Sequence, residues 1–119
     1  MGIHKSGEDY LETILKLRER NGTVRSVDVA DALHFSKPSV SVAMKKLRES
    51  GYVTVDEAGL LFLTPEGESV ARRIYRRHEV ITTMLTAVGV EPEQAAEEAC
   101  QIEHVISDET LEKISAYFM

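Results

Sequence analysis

Apolar residues recur at helical spacing over residues 6–20, where Tyr10, Leu11, Ile14, Leu15 and Leu17 form one stripe. Ser6 is placed to cap this helix, Glu8 and Asp9 suit its positive end, and Asn21-Gly22 stops it. Ser26 is expected to cap a short second helix with Val29, Ala30 and Leu33 facing inward. After a break at His34-Phe35-Ser36, a third helix is expected from Lys37 to Ser50, capped by Ser36, with Pro38 in its first turn and Gly51 past its end. The pattern then changes. Residues 52–55 (YVTV) and 60–63 (LLFL) read as two short strands joined by Asp56-Glu57-Ala58-Gly59. Thr64 caps a long helix that opens at Pro65 and runs to about Val88, before Gly89. Glu91-Pro92 opens the next helix, expected to reach about Ile106, and Ser107 caps a last short one.

Helix, short helix, tight turn, helix, hairpin is the order of a winged helix-turn-helix. An ordinary helical bundle with a basic face leaves the hairpin unexplained. The third helix would enter the major groove of double-stranded DNA. Its polar side chains are Ser36, Lys37, Ser39, Ser41, Lys45, Lys46 and Arg48, with Pro38 among them. Hydroxyls and lysines mostly hold phosphates, and the first turn lacks the Arg, Asn or Gln that reads bases sharply. The second half presents Ile74, Val80, Ile81, Met84, Leu85, Val105, Ile106, Leu111 and Ile114, more than one short helical layer buries alone. A two-fold homodimer is therefore expected.

Charge sharpens this division. The net charge of −6 speaks against a protein that coats DNA generally. Residues 1–63, however, are balanced, with nine basic and nine acidic side chains, and the acid excess lies in residues 64–119. The first half can still offer a local basic face. No run of about 18 apolar residues occurs, so no membrane span is expected. The N-terminal MGIHKSGEDYLE has no apolar leader core, and a cytoplasmic protein is expected. One cysteine excludes an internal disulfide framework, leaving a packed thiol, a reactive thiol or a metal ligand.

Three groups of side chains suggest metal chemistry. Asp9 and Glu12 are three apart and share a helix face, opposite the stripe of their own helix. Taken alone, they are ordinary solvated acids in a first turn. Cys100, Glu103 and His104 form C-x-x-E-H, whose spacing converges on one helix face opposite Ala95, Ala99, Ile102, Val105 and Ile106. His78 falls in line with Ala71, Ile74, Ile81 and Leu85. A lone histidine there is usually a satisfied core residue. Three such signals on three helices are more persuasive jointly than singly, and thiolate, carboxylate and imidazole together suit a transition metal.

The segments SGEDYLETI (6–14), SKPSVSVAMKKLRESGYV (36–53), LTPEGESVARRIYRRHEVI (63–81) and EEACQIEHVISDETLEKI (97–114) resemble the DtxR/MntR family of iron- and manganese-dependent repressors over nearly the whole chain. The resemblance implies a mainly α protein. A winged helix-turn-helix DNA-binding domain (1–64) would be followed by an α-helical dimerisation and metal-binding domain (65–119). It implies a short form, without the SH3-like third domain of larger members. Asp9, Glu12, His78, Glu103 and His104 match the metal positions of manganese-type members. Cys100 stands where those members carry glutamate and iron-type members carry cysteine. Iron-type members lack the acids matching Asp9 and Glu12, and their ancillary site has an acid where this chain has Thr82 and a histidine where it has Glu97. The chain is thus a hybrid, and Glu97 or Glu12 with His78 would make a different second site.

The function expected is a repressor of metal-homeostasis genes, not an enzyme. Fe(II) or Mn(II) would clamp the DNA-binding domain to the dimer core, with Zn(II), Co(II) or Ni(II) substituting in vitro. Such a clamp would fix two third helices at the roughly 34 Å spacing of successive major grooves. A metalloenzyme leaves the winged helix without a role. A winged-helix regulator that senses oxidation or a small ligand through Cys100 is the alternative.

Overall fold

The computed structural model describes residues 5–119, and the first four residues of the N-terminal MGIHKSGEDYLE lie outside it. Among the described residues the order is α1 (Lys5–Asn21), α2 (Ser26–Leu33), α3 (Lys37–Glu49), β1 (Val53–Val55), β2 (Leu61–Leu63), α4 (Pro65–Ala87), α5 (Pro92–Ile102) and α6 (Asp108–Phe118). This is the expected mainly α chain with a small hairpin. The chain forms two compact units that divide between Arg72 and Arg73, inside α4. No helix among the described residues is long and apolar enough to cross a membrane.

In the first unit the stripe of α1 is buried, together with Val29 and Ala30 of α2, Val40, Met44 and Leu47 of α3, and Val53 and Leu61 of the hairpin. α1 packs on α2 and β2, and α3 packs on α2 and β1. The strands are antiparallel, pairing Val53 with Leu63, Thr54 with Phe62 and Val55 with Leu61. Asp56 closes their turn by accepting from the N–H groups of Ala58 (3.0 Å) and Leu60 (2.9 Å), and Gly59 takes the left-handed φ of 84°. A third short edge joins the hairpin. The Leu61 N–H donates to the Val24 carbonyl at 2.7 Å and Arg25 bridges to Leu60, a pairing no local pattern announces.

Three expected caps are present. Ser36 accepts from the Ser39 N–H (3.3 Å), Ser107 from the Thr110 N–H (3.0 Å) and Thr64 from the Gly67 N–H (3.1 Å). Thr64 also donates its hydroxyl to the Gly51 carbonyl at 2.6 Å, tying the start of α4 to the end of α3. Gly67 is required there, because a Cβ would collide with the Tyr52 carbonyl oxygen. Two caps are corrected. α1 already includes Ser6, so its cap position falls outside the described residues. Ser26 is the first residue of α2, and Arg25 caps it, with its N–H donating to Asp28 Oδ2 at 2.8 Å. The Arg18 guanidinium forks onto Glu68 (2.9 and 3.0 Å), and Arg72 adds a further bond at 2.8 Å. Those bonds, Arg18's foremost, hold the Glu68 carboxyl down at about 2, against its ordinary 4.5 and against the opposing cost of burial.

In the second unit Val80 and Ile81 of α4, Ala99 of α5 and Leu111 of α6 form a core, with Met84, Leu85, Ile102, Ile106 and Ile114 packed around it. α5 stops at Ile102, four residues before its expected end. No Gly or Pro marks the stop, and Arg77 holds the turn that follows it. This nearly buried side chain donates Nε to the Glu103 carbonyl at 2.8 Å, Nη2 to the Ile106 carbonyl and Nη1 to Asp108 Oδ1 at 2.7 Å. Those carbonyls are held by a guanidinium, and the Val105 N–H reaches back only to Ile102 (3.0 Å). The helical repeat past Ile102 is lost. Val105, expected on the inward stripe, is 79% exposed. Ile74, Val80, Ile81 and Leu111 are buried within the chain itself, and the large apolar side chains this unit leaves exposed are others. These are Val88, Val105, Tyr117 and Met119, all strongly exposed.

Candidate metal centre and nucleic-acid face

α4 carries His78 and α5 carries Cys100, two residues before the helix ends. Glu103 follows in the αR cap position and His104 in the turn that Arg77 holds. The expected single helical face is therefore corrected: Glu103 and His104 lie past α5, and Glu103 is completely buried rather than on a polar face. His78 Nδ1 meets Glu103 Oε1 at 2.8 Å and Cys100 Sγ at 3.9 Å. With the carboxylate ionised it can only accept, so Nδ1–H donates to it. His104 Nε2 lies 3.4 Å from Glu103 Oε2, which is buried and has no hydrogen bond.

One ligand atom from each of His78, Cys100 and Glu103 lies within 4.8 Å of the others. A buried carboxylate is costly unless paired, and a carboxylate oxygen without a hydrogen bond is costlier still. Beside an imidazole and a thiol, that arrangement fits a divalent ion, which would be held by groups already facing one another. Glu97 is exposed and lines a surface depression with Glu91, Pro92, Glu93 and Gln94; it is outside the group around His78.

Asp9 and Glu12 lie on α1 in the first unit. Of the two readings of this pair, solvated acids or metal ligands, full solvation does not describe Glu12. Glu12 is buried, as is Glu8, while Asp9 keeps 29% of its side chain exposed. Lys5 reaches Asp9 and Lys16 reaches Glu12, both at 3.2 Å. Burying two carboxylates one turn apart is unfavourable for a scaffold helix.

Arg77 was missed by sequence reasoning, which saw one more arginine in RRIYRRH. The available signal was its position, three after Ile74 and four before Ile81, on the apolar side of α4.

On the nucleic-acid face, Ser36, Lys37, Pro38, Ser39, Ser41, Lys45, Lys46 and Arg48 are all exposed, while Val40, Met44 and Leu47 are buried beneath them. The amphipathic division of α3 thus turns its basic and hydroxyl groups outward, the Ser36 hydroxyl donating to that of Ser39 at 2.8 Å.

Two family models cover almost the whole chain. Residues 3–59 match the iron-dependent repressor N-terminal DNA-binding domain, and residues 64–119 match the iron-dependent repressor metal-binding and dimerisation domain. The transcriptional regulator MntR of Salmonella typhimurium is 37% identical over 110 residues, covering 92% of this chain and 70% of that protein. The structure of the manganese regulator SloR matches 98% of this chain at a TM-score of 0.83 and 31% identity. A manganese-dependent transcriptional repressor in complex with manganese matches 94% at a TM-score of 0.86 and 29% identity. The chain spans only 54% and 52% of those two structures' chains, about half. The chain belongs to the DtxR/MntR family of iron-dependent repressors. Its relatives are metal-dependent transcriptional regulators, not enzymes.

Proposed function

We propose that this protein is a metal-dependent repressor that binds double-stranded operator DNA as a cytoplasmic homodimer and controls metal-homeostasis genes. The observation that carries the reading is Glu103: a fully buried carboxylate facing His78 and Cys100, in the part of the chain that matches a metal-binding domain. His78, Cys100, Glu103 and His104 supply the ligands from the second unit, and Asp9 and Glu12 supply those from α1. A divalent ion held by these groups supplies two positive charges that cancel acid–acid repulsion. Residues 1–64 and 65–119 act as the DNA-binding and the dimerising, metal-binding domains.

Ligands drawn from both parts make metal occupancy and DNA competence one equilibrium. Cys100 must lose its proton and His78 must be neutral to serve as ligands, so binding weakens as pH falls. Because the DNA-competent arrangement binds the ion better, DNA raises metal affinity by the same factor. Oxygen-rich ligation favours Mn(II) or Fe(II); Cys100 shifts preference toward softer ions, and Zn(II), Co(II) or Ni(II) substitute in vitro. The thiol's place inside this group favours a ligand role over oxidation sensing.

Gel-shift assays of the chelated protein, alone and with Mn(II), Fe(II) or Zn(II), test the reading. Retention of a duplex only with metal is expected. Equal binding by the chelated protein overturns metal dependence. Exposed Val88, Val105, Tyr117 and Met119 support a self-associating surface. A monomer by sedimentation at micromolar concentration would overturn the dimer.

A further inference from the structure

The outward surface of α3 carries one feature that phosphate binding does not use. Val42 is 57% exposed, although the other apolar residues of its helix, Val40, Met44 and Leu47, are buried. It lies one turn after Pro38 and Ser39 and one turn before Lys45 and Lys46, all exposed. These neighbours place an uncharged branched side chain in the middle of a face whose cations and hydroxyls suit two phosphate walls. The same face carries no Arg, Asn or Gln that could fork onto a base edge; Arg48 stands near the helix's C-terminal end. An isolated surface valine needs no explanation, but one at the centre of a groove-facing helix meets base edges. The apolar group offered there by B-DNA is the 5-methyl of thymine.

We propose that Val42 reads the 5-methyl group of a thymine in the major groove and sets base preference at that position. The proposal rests on the DNA-binding reading above. Lysines beside Val42 hold the strands, which fixes how deeply the helix sits, and the isopropyl group excludes water from the methyl. Cytosine carries only a hydrogen at C5 and an amino donor in place of O4, so it offers valine no methyl to cover.

The test uses the whole chain with Mn(II). Duplexes are recovered from a random-sequence pool, and each thymine of the recovered site is replaced singly by deoxyuridine, which removes only the methyl. One thymine per half-site should respond, with binding weakened about fourfold, the worth of one buried methyl. Val42→Ala should bind the thymine duplex with a comparable loss and no longer distinguish thymine from deoxyuridine there. Lys46→Ala should bind both duplexes more weakly and keep the distinction. If no thymine responds, or if Val42→Ala discriminates as the wild type does, the proposal is overturned while DNA binding stands. If no duplex is recovered with metal present, both fall.

Discussion

The two units of this chain solve the same problem of burying charge in opposite ways. In the first, charges close on one another: Glu68 takes a forked pair of bonds from Arg18 and another from Arg72, and all of these groups keep some contact with water. In the second, Arg77 and Glu103 are taken fully inside. Arg77 is satisfied by two carbonyls and Asp108, whereas Glu103 keeps one oxygen without a hydrogen bond. The first unit covers the stripe of α1 but leaves Phe35, Val42 and Phe62 exposed, and the second leaves Val88, Val105, Tyr117 and Met119 exposed. The first unit also buries a carboxylate oxygen without a hydrogen bond, on Glu12, but the second sets its own beside an imidazole and a thiol, an arrangement suited to an ion. The lesson is that incompleteness, in a part that otherwise packs well, locates function.

The widest gap between the units should come from Gly67→Ala. The added methyl collides with the Tyr52 backbone, so the first unit should lose about 3 kcal/mol, read as a lower urea midpoint. A midpoint unchanged from wild type would show that the tight approach of α4 to Tyr52 does not stabilise this unit.

Glu103→Gln tests the open valence. It should reduce metal affinity by on the order of 100-fold, since even supporting residues of a metal site can cost that much. In chelator the variant should melt at the wild-type temperature or above it, because a buried charge has been removed. A clear drop in chelated stability would mean that Glu103 serves the scaffold.

The smallest effect should be the acid response of the Arg18–Glu68–Arg72 network. Glu68 is held down at about 2, against an ordinary 4.5, so its contribution is fully present above its unfolded value. That contribution drains away as pH falls from about 5 toward 2. Urea unfolding at about pH 5 and pH 3 should therefore show a loss that Arg18→Met reduces. An equal loss in the variant would assign the acid sensitivity to other carboxylates.

Much of the candidate site was legible in the sequence as residue types, and much less as geometry. Asp9, Glu12, His78, Cys100, Glu103 and His104 stood out because carboxylate, imidazole and thiol at short spacings are conspicuous. Their burial did not. Glu12 read as a solvated acid and is buried, and Glu103 read as part of a helical face and lies in a turn. Val42 read as ordinary apolar content of α3, and only its exposure gave it a different meaning.

By itself the sequence determined what depends on neighbours within about one helical turn. The stripe of α1, the caps at Ser36, Thr64 and Ser107, the stop at Gly89 and the hairpin turn at Asp56 all follow from residues a few positions apart. Tertiary structure alone decided how the turn after α5 is held, because the group that binds its carbonyls, Arg77, comes from 26 positions away. It alone paired Val24 with Leu61, and it decided which apolar side chains remain outside. A hydrogen bond to a distant carbonyl costs a local pattern nothing until the chain has folded, so no local pattern records it.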